Sequence, residues 1–138
     1  MLRAHDEARI KDSTVMGTIA VFDQQKNPHS GIAGGRVTAD ATGRITEFIE
    51  SQSNALGFVN AGCYSLESET LRHVPSPPCA SDWARDIFPT MLQIGMHLRA
   101  YPIEGYCLGI DTPEAYKSAK KIIAGKSGSW QQHYTAHG

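Results

Sequence analysis

The sequence predicts a globular domain that mixes β-strands with α-helices, of the α/β or α+β class. Apolar, β-branched runs of strand length alternate with helical stretches, and an Asp/Gly turn between two alternating segments is typical of a β-hairpin. The 138 residues fit one domain. No internal repeat or low-complexity segment competes with this interpretation.

The N-terminal elements are a helix, a strand and a hairpin. The charged segment 2–11 predicts a solvated helix. The run 14–22 is too continuously apolar for a one-sided surface strand and therefore predicts a buried strand. Residues 35–50, with the turn 40–43, predict the hairpin.

The remaining elements alternate between strand and helix. In order, the sequence predicts a strand at 58–66, a short helix at 68–74, a helix at 82–95 capped by Ser81, strands at 97–103 and 106–110, and a helix from Thr112 to about Ala124. Glycine inside the strand 58–66 often marks a place where a ligand or another backbone approaches closely.

The helix at 82–95 carries an aromatic face. Trp83, Phe88 and Met91 lie on one side at helical spacing, so we expect core packing rather than a platform for stacking a sugar ring. Pro89 is expected to kink or restart the helix.

Composition excludes several classes of function. The 13 basic and 14 acidic residues contain no basic run, so nucleic acid is not an expected partner. No apolar stretch approaches the roughly 20 residues that span a bilayer, so no membrane association is expected. Cys63, Cys79 and Cys107 lack a C-x-x-C pair and are expected to be reduced thiols of a cytoplasmic protein. The six scattered histidines form no H-E-x-x-H motif.

Three segments carry a family resemblance. They are Gly35-x-Val37-x-x-Asp40-x-x-Gly43-Arg44-Ile45-x-x-Phe48-x-Glu50, Asn60-Ala61-Gly62-x-Tyr64, and Gly105-Tyr106-x-Leu108-x-Ile110-x-Thr112-Pro113-Glu114-x-Tyr116. In this order and spacing, over about residues 14–121, they resemble the C-terminal half of the sugar-1-phosphate nucleotidylyltransferases. Each motif alone is weak, whereas the ordered set is specific.

The resemblance implies a Rossmann-like α/β nucleotidyltransferase fold, a mixed sheet with flanking helices. In that family an oxygen of a sugar 1-phosphate attacks the α-phosphate of a nucleoside triphosphate and releases pyrophosphate, and Mg²⁺ neutralises the charge. Residues 1–124 would be a partial domain that binds the sugar phosphate, without the N-terminal nucleotide-binding half. Residues 125–138 are expected to form a poorly ordered tail.

The same resemblance implies the substrate-binding residues. Gly35 corresponds to a glycine whose backbone contacts the sugar, Glu50 to a carboxylate that accepts sugar hydroxyls, and Asn60 to an amide that donates to the sugar. Gly62 lies in the same motif and is included. Two alternatives stay open: Glu50 is a solvated carboxylate at a strand end, and Asn60 is satisfied by the backbone.

The chain also departs from the family pattern. It contains no G-x-G-T-R-L loop to hold a triphosphate and no G-D pair to hold a metal, and Ser51 stands where the family has a lysine. The family order D-I-G-T-P is replaced by Gly109-Ile110-Asp111-Thr112-Pro113. Asp111, the candidate Mg²⁺ ligand, is therefore displaced by two positions, about 6–7 Å along a strand. The alternative is that Asp111 or Thr112 caps the helix.

Two functions are compatible with these residues. The chain is either part of a nucleotidyltransferase that makes an NDP-sugar in its full-length form, or a catalytically inert module that binds a sugar phosphate or an NDP-sugar. Either way the expected ligand is a sugar 1-phosphate or NDP-sugar, and self-association or a complementing chain is an expected partner. The identities of the nucleotide and of the sugar stay open.

Overall fold

The computed structural model describes residues 1–27, 35–49, 57–76 and 79–125. The elements of these residues are, in chain order, α1 (Leu2–Lys11), β1 (Val15–Asp23), β2 (Arg36–Ala39), β3 (Ile45–Ile49), β4 (Phe58–Leu66), a 3₁₀ helix (Ser68–His73), a π-helical turn (Trp83–Ile87), α2 (Phe88–Gln93), β5 (His97–Pro102) and α3 (Pro113–Ala124).

The described strands form one mixed sheet in the order β3-β2-β4-β1-β5. β1 pairs with β4 in antiparallel fashion and with β5 in parallel fashion, while β2 pairs antiparallel with both β3 and β4. The predicted mixed sheet and the predicted hairpin are therefore confirmed. The hairpin turn is held by Asp40, whose Oδ1 accepts hydrogen bonds from the backbone N–H groups of Thr42 and Arg44.

β1 is buried on both faces. Ile19 and Val21 belong to the main core cluster, and Ala20 and Phe22, which alternate with them, are also buried. Central burial of this kind explains why the strand is apolar at successive positions instead of alternating. On one side, α1 is tied to β1 by His5, whose Nδ1 lies 2.9 Å from Oγ1 of Thr18.

The main core lies between the sheet and the helical segment 83–93. Its buried members are Ile19, Val21, Val37, Ile45, Ile87, Phe88, Met91 and Leu98. Trp83 is partly buried and packs against this cluster. The expected core role of Trp83, Phe88 and Met91 is confirmed.

The helix predicted at 82–95 is built in two pieces. Asp82, not Ser81, is its N-cap: Oδ1 of Asp82 accepts from the backbone N–H groups of Ala84 and Arg85. The first piece is a π-helical turn, and Pro89 then lies in the first turn of α2, where a residue without an N–H is tolerated. Pro89 therefore restarts the helix.

The strand predicted at 106–110 is wrong. Only Cys107 makes a β-bridge, Gly105 before it has φ +86°, and Ile110 is 70% exposed. A short apolar run becomes a strand only where a neighbouring strand pairs with it, and periodicity alone does not reveal the neighbour. The helix predicted after it is confirmed as α3, which buries Ala115 and Ala119.

The chain divides into two compact units. One consists of Met1–Gln24 and Ala33–Glu104, and the other of Gln25–Ile32 and Gly105–Gly138. Almost all of the expected tail, residues 126–138, lies outside the described residues. No helix in the described part of the chain is long and apolar enough to cross a bilayer.

Candidate functional site

The predicted sugar-binding motif forms a bulge in β4. Ile19 of β1 is paired with Tyr64, and Val21 is paired with Asn60, so three residues of β4 lie opposite one residue of β1. Gly62, in the middle of the bulge, has φ +72°, a conformation that glycine adopts without steric cost. Bulges of this kind redirect side chains and often lie next to functional sites.

Asn60 holds the bulge together. Its Nδ2 donates to the hydroxyl of Tyr64 at 2.9 Å, and its Oδ1 accepts from the backbone N–H of Gly62 at 3.0 Å. The side chain is part of a residue only 7% exposed. An Asn amide offers two N–H donors and two acceptor lone pairs, so one of each is still available for a ligand. The protein itself therefore satisfies one of the two amide N–H donors of Asn60 and one of the two lone pairs of its oxygen, and the backbone supplies only the Gly62 N–H.

Gly35 lies beside Asn60. The backbone N–H of Asn60 donates to the carbonyl of Gly35 at 3.0 Å. A Cβ built on Gly35 would lie 3.5 Å from the Ile49 carbonyl oxygen and 3.8 Å from the Ala84 Cβ, which is ordinary contact. A Cβ built on Gly62 meets nothing within 4 Å. The backbone at Gly62 is thus exposed and faces open space.

Tyr64 links the bulge to the aromatic part of the core. Its ring centroid lies 4.9 Å from that of Phe88 and 6.3 Å from that of Trp83. Burial is the largest influence on the pKa of Tyr64 and raises it above its ordinary value of 10.0, while the hydrogen bond from Asn60 opposes the rise. The phenol therefore stays protonated at neutral pH. Because its oxygen accepts from Asn60, its hydrogen is left to donate.

The structure brings three of the four predicted binding residues together: Gly35, Asn60 and Gly62. Glu50 and its neighbour Ser51 lie outside the described residues. Sequence reasoning assigned no role to Tyr64, although it lies in the same motif, because no spacing rule links an asparagine to a tyrosine four residues later across a bulge.

Asp111 belongs to the other compact unit and is exposed. Thr112 is the cap of α3, since its Oγ1 accepts from the backbone N–H of Ala115 at 3.1 Å. Of the two capping alternatives, the structure therefore selects Thr112. Among the described residues no group of three or more His, Cys, Asp or Glu side chains is arranged to hold a metal ion.

The mixed sheet with flanking helices matches the Rossmann-like nucleotidyltransferase fold of several solved structures. The solved structures that share it include a CMP:2-keto-3-deoxy-manno-octonic acid synthetase complexed with CTP, with a TM-score of 0.58, 14% identity, and coverage of 90% of this chain and 55% of that one. Comparison with models of known protein families finds no match.

Two further solved structures show the same fold. The inositol-1-phosphate CTP transferase from T. maritima matches with a TM-score of 0.55 and 15% identity, over 80% of this chain and 47% of that one. HddC from Yersinia pseudotuberculosis matches with a TM-score of 0.54 and 18% identity, over 85% and 49%. The chain thus spans about half the length of the proteins it resembles.

Proposed function

We propose that this chain is the part of a sugar-phosphate nucleotidyltransferase that binds the acceptor, a sugar 1-phosphate, and the NDP-sugar made from it. The observation that carries the proposal is the β4 bulge, where Gly35, Asn60 and Gly62 come together on a nucleotidyltransferase fold. The shared fold supports this assignment, but one fold hosts many functions, so the side chains of the site determine which function this chain has.

The bulge offers the chemistry that a sugar needs. Asn60 retains one N–H donor and one acceptor lone pair, and Tyr64 retains its hydroxyl hydrogen. A hexose presents hydroxyl groups that both donate and accept. The exposed backbone at Gly62, with no side chain above it, allows a sugar ring to approach closely.

In the proposed reaction an oxygen of the sugar 1-phosphate attacks the α-phosphate of a nucleoside triphosphate, and the bond to pyrophosphate breaks. The contribution of this chain is to hold and orient the acceptor, which lowers the entropic part of the barrier. Gly35 and Glu50 are included in the acceptor site on the strength of the family resemblance.

Mg²⁺ is part of the proposal only as the ion that neutralises phosphate charge. It is commonly held by one or two carboxylates together with substrate phosphates. Asp111 is the carboxylate proposed for this role, and its exposure leaves it accessible. The described residues do not form a metal site by themselves.

The second candidate is an inert module that binds a sugar phosphate or NDP-sugar, acting beside a complementing chain or as a self-associated species. It is favoured by Ser51 and Gly109, which stand where the family pattern has a lysine and an aspartate. Under both proposals the protein is cytoplasmic, in keeping with its free thiols: Cys63 and Cys79 are exposed, and Cys107 is buried.

Calorimetric titration with glucose 1-phosphate and mannose 1-phosphate, with and without Mg²⁺, tests the proposal. The informative variant is Asn60→Asp, which keeps an oxygen for the Gly62 N–H and another for the Tyr64 hydroxyl but removes both amide donors. We expect binding to weaken about 5- to 150-fold, the size of two lost hydrogen bonds, because the Tyr64 hydroxyl hydrogen turns to the new carboxylate and no longer reaches the sugar. Gln93→Glu, at an exposed position of α2, adds the same charge as a matched control.

Asp111→Asn tests the proposed metal role. A loss of affinity that appears only with Mg²⁺ makes Asp111 a metal ligand and supports the transferase, whereas an unchanged affinity removes Asp111 from the proposed metal site. If neither sugar phosphate binds to a chain that circular dichroism shows to be folded, the acceptor-site proposal is wrong.

A further inference from the structure

A cleft lined by polar and apolar side chains lies at the opposite end of β1 from the bulge. It is lined by Thr14, Met16, Arg44, Ile94, Gly95, Met96 and His97 and has a volume of about 540 Å³. Small-molecule sites commonly have volumes of about 300–1,000 Å³. Val15 is paired with His97, and Val21 with Asn60, so roughly 20 Å of strand separates the cleft from the bulge.

The walls of the cleft are fixed by backbone structure. Arg44 forms an isolated antiparallel bridge with Arg99, and the Ala100 N–H donates to the Gly43 carbonyl at 2.9 Å, so the hairpin turn is attached to the start of β5. On the other side, Gly95, with φ +82°, ends the turn after α2. The apolar part of the lining is formed by Met16, Ile94 and Met96.

His97 is held in one orientation by Asp12. Its Nδ1 lies 3.0 Å from Oδ2 of Asp12 and 3.2 Å from Oγ1 of Thr14. Oδ1 of Asp12 is already bound by the N–H and hydroxyl of Thr14, and these hydrogen bonds hold the pKa of Asp12 below its ordinary value. An ionised Asp12 only accepts hydrogen bonds, so Nδ1 carries the proton and the neutral ring has its lone pair on Nε2.

The lone pair on Nε2 has no partner. Nε2 is buried and forms no hydrogen bond among the described residues, and the side chain is 12% exposed. Burial is the main cause that lowers the pKa of His97; the charges of Arg44 and Arg99 add to it, and Asp12 opposes it. The ring is therefore neutral at pH 7 and acts as an acceptor. A buried polar group without a partner in a native structure calls for an explanation.

Arg44 supplies the second recognition element. The guanidinium of Arg99 donates to the Thr42 carbonyl at 2.9 Å, whereas that of Arg44 forms no hydrogen bond or ion pair within the described part of the chain. A ligand that reaches Nε2 from this cleft therefore meets an acceptor on His97 and the cation of Arg44, whose charge adds to hydrogen bonding in lowering the pKa of Asp40. It has to carry a hydrogen-bond donor and a negative charge close together.

A phosphate monoester combines both requirements in one group. Its second pKa is about 6, so near neutral pH it presents P–O⁻ oxygens together with a P–OH in part of its population. A carboxylate only accepts and would place a lone pair against the lone pair of Nε2. We propose that the cleft binds a small organic phosphate ester, with its phosphoryl group between Arg44 and His97.

The organic part of the ester lies on the apolar wall of Met16, Ile94 and Met96. Contact with Nε2 requires a small displacement of the side chains that cover it, and methionine side chains rearrange readily. This site is independent of the proposed acceptor site, so either proposal can fail without the other.

Phenyl phosphate, inorganic phosphate and benzoate are suitable probes, and the Cε1–H signal of His97 in NMR spectra of the whole chain is the readout. We expect a saturable shift with phenyl phosphate, a weaker one with inorganic phosphate, which lacks the apolar part, and none with benzoate.

Two variants make the test specific. Arg44→Gln should weaken phenyl phosphate about 10-fold or more, the size of a charge-assisted hydrogen bond. Arg3→Gln, at an exposed position of α1, removes the same charge elsewhere and should change nothing. His97→Phe removes the NMR reporter, so its binding is followed by calorimetric titration, where it should abolish phenyl phosphate binding while the chain stays folded. Equal losses in the two arginine variants, equal binding of benzoate, or no saturable shift in the unaltered chain would each overturn the proposal.

Discussion

Asn60→Ala tests the account of the β4 bulge, because it removes both hydrogen bonds that define it. A net hydrogen bond is worth about 0.5–1.5 kcal/mol, so the two bonds at 2.9 and 3.0 Å together stabilise the fold by about 1–3 kcal/mol. A loss in the upper half of this range of about 1–3 kcal/mol requires that the Gly62 N–H or the Tyr64 hydroxyl is left buried without a hydrogen bond. Gly62 is exposed and its N–H can bind water, whereas the Tyr64 hydroxyl is half-buried.

A double-mutant cycle with Tyr64→Phe isolates the bond between the two side chains. We expect a coupling free energy of about 0.5–1.5 kcal/mol, since the residues are in direct contact. Urea unfolding followed by fluorescence is a suitable assay, because Trp83 packs 6.3 Å from Tyr64. The second tryptophan, Trp130, is replaced by Phe in every variant so that one fluorophore reports. A coupling free energy of zero would show that Asn60 does not hold Tyr64.

Three other predictions follow from separate features. Gly17→Ala should lower the free energy of unfolding by about 1–3 kcal/mol, because the new Cβ would lie 2.7 Å from Leu66 Cδ2 and 2.9 Å from Leu98 Cδ2. Leu66→Val should recover part of this loss in urea titrations. An unchanged free energy of unfolding for Gly17→Ala would contradict the crowding. In the folded chain the pKa of His97 lies below its ordinary value of 6.5, so the unfolded chain binds more protons and the free energy of unfolding falls as the pH drops below about 6.5. His97→Phe should flatten this dependence in urea unfolding measured at a series of pH values, while His73→Phe should not. With Mg²⁺, a nucleoside triphosphate and a sugar 1-phosphate, the 138-residue chain alone should release no pyrophosphate, because its sequence lacks the loop that holds the triphosphate. Steady release of pyrophosphate in a coupled assay would contradict this.

Much of the fold could be predicted from local pattern. β4 begins and ends at Phe58 and Leu66 as expected, the Asp40 turn and α3 follow from turn and capping chemistry, and α1 follows from its charged, sparsely apolar pattern. These features depend on residues close in sequence. The strand expected at 106–110 fails because a strand needs a neighbour, and neighbours are set by the whole chain.

The candidate sites also depend partly on residues close in sequence and partly on residues far apart in it. Gly35, Asn60 and Gly62 were predicted from two short motifs that carry the family resemblance, but the bulge that sets the geometry of Asn60 and Gly62 depends on register against β1. The cleft at His97 had no sequence signal at all. It exists because Thr14 and His97, 83 residues apart, meet where two parallel strands begin.

That same parallel pairing has a consequence for how the protein reaches its native state. Among the described strands the central strand β1 is the first to leave the ribosome, and its neighbour β5 is the last. The β2–β3 hairpin can close locally, whereas β1 has to wait with one hydrogen-bonding edge unpaired. Contacts of such long sequence separation slow folding, and an uncovered strand is exposed to aggregation in the interval. We therefore expect slow refolding, with yields that fall as protein concentration rises.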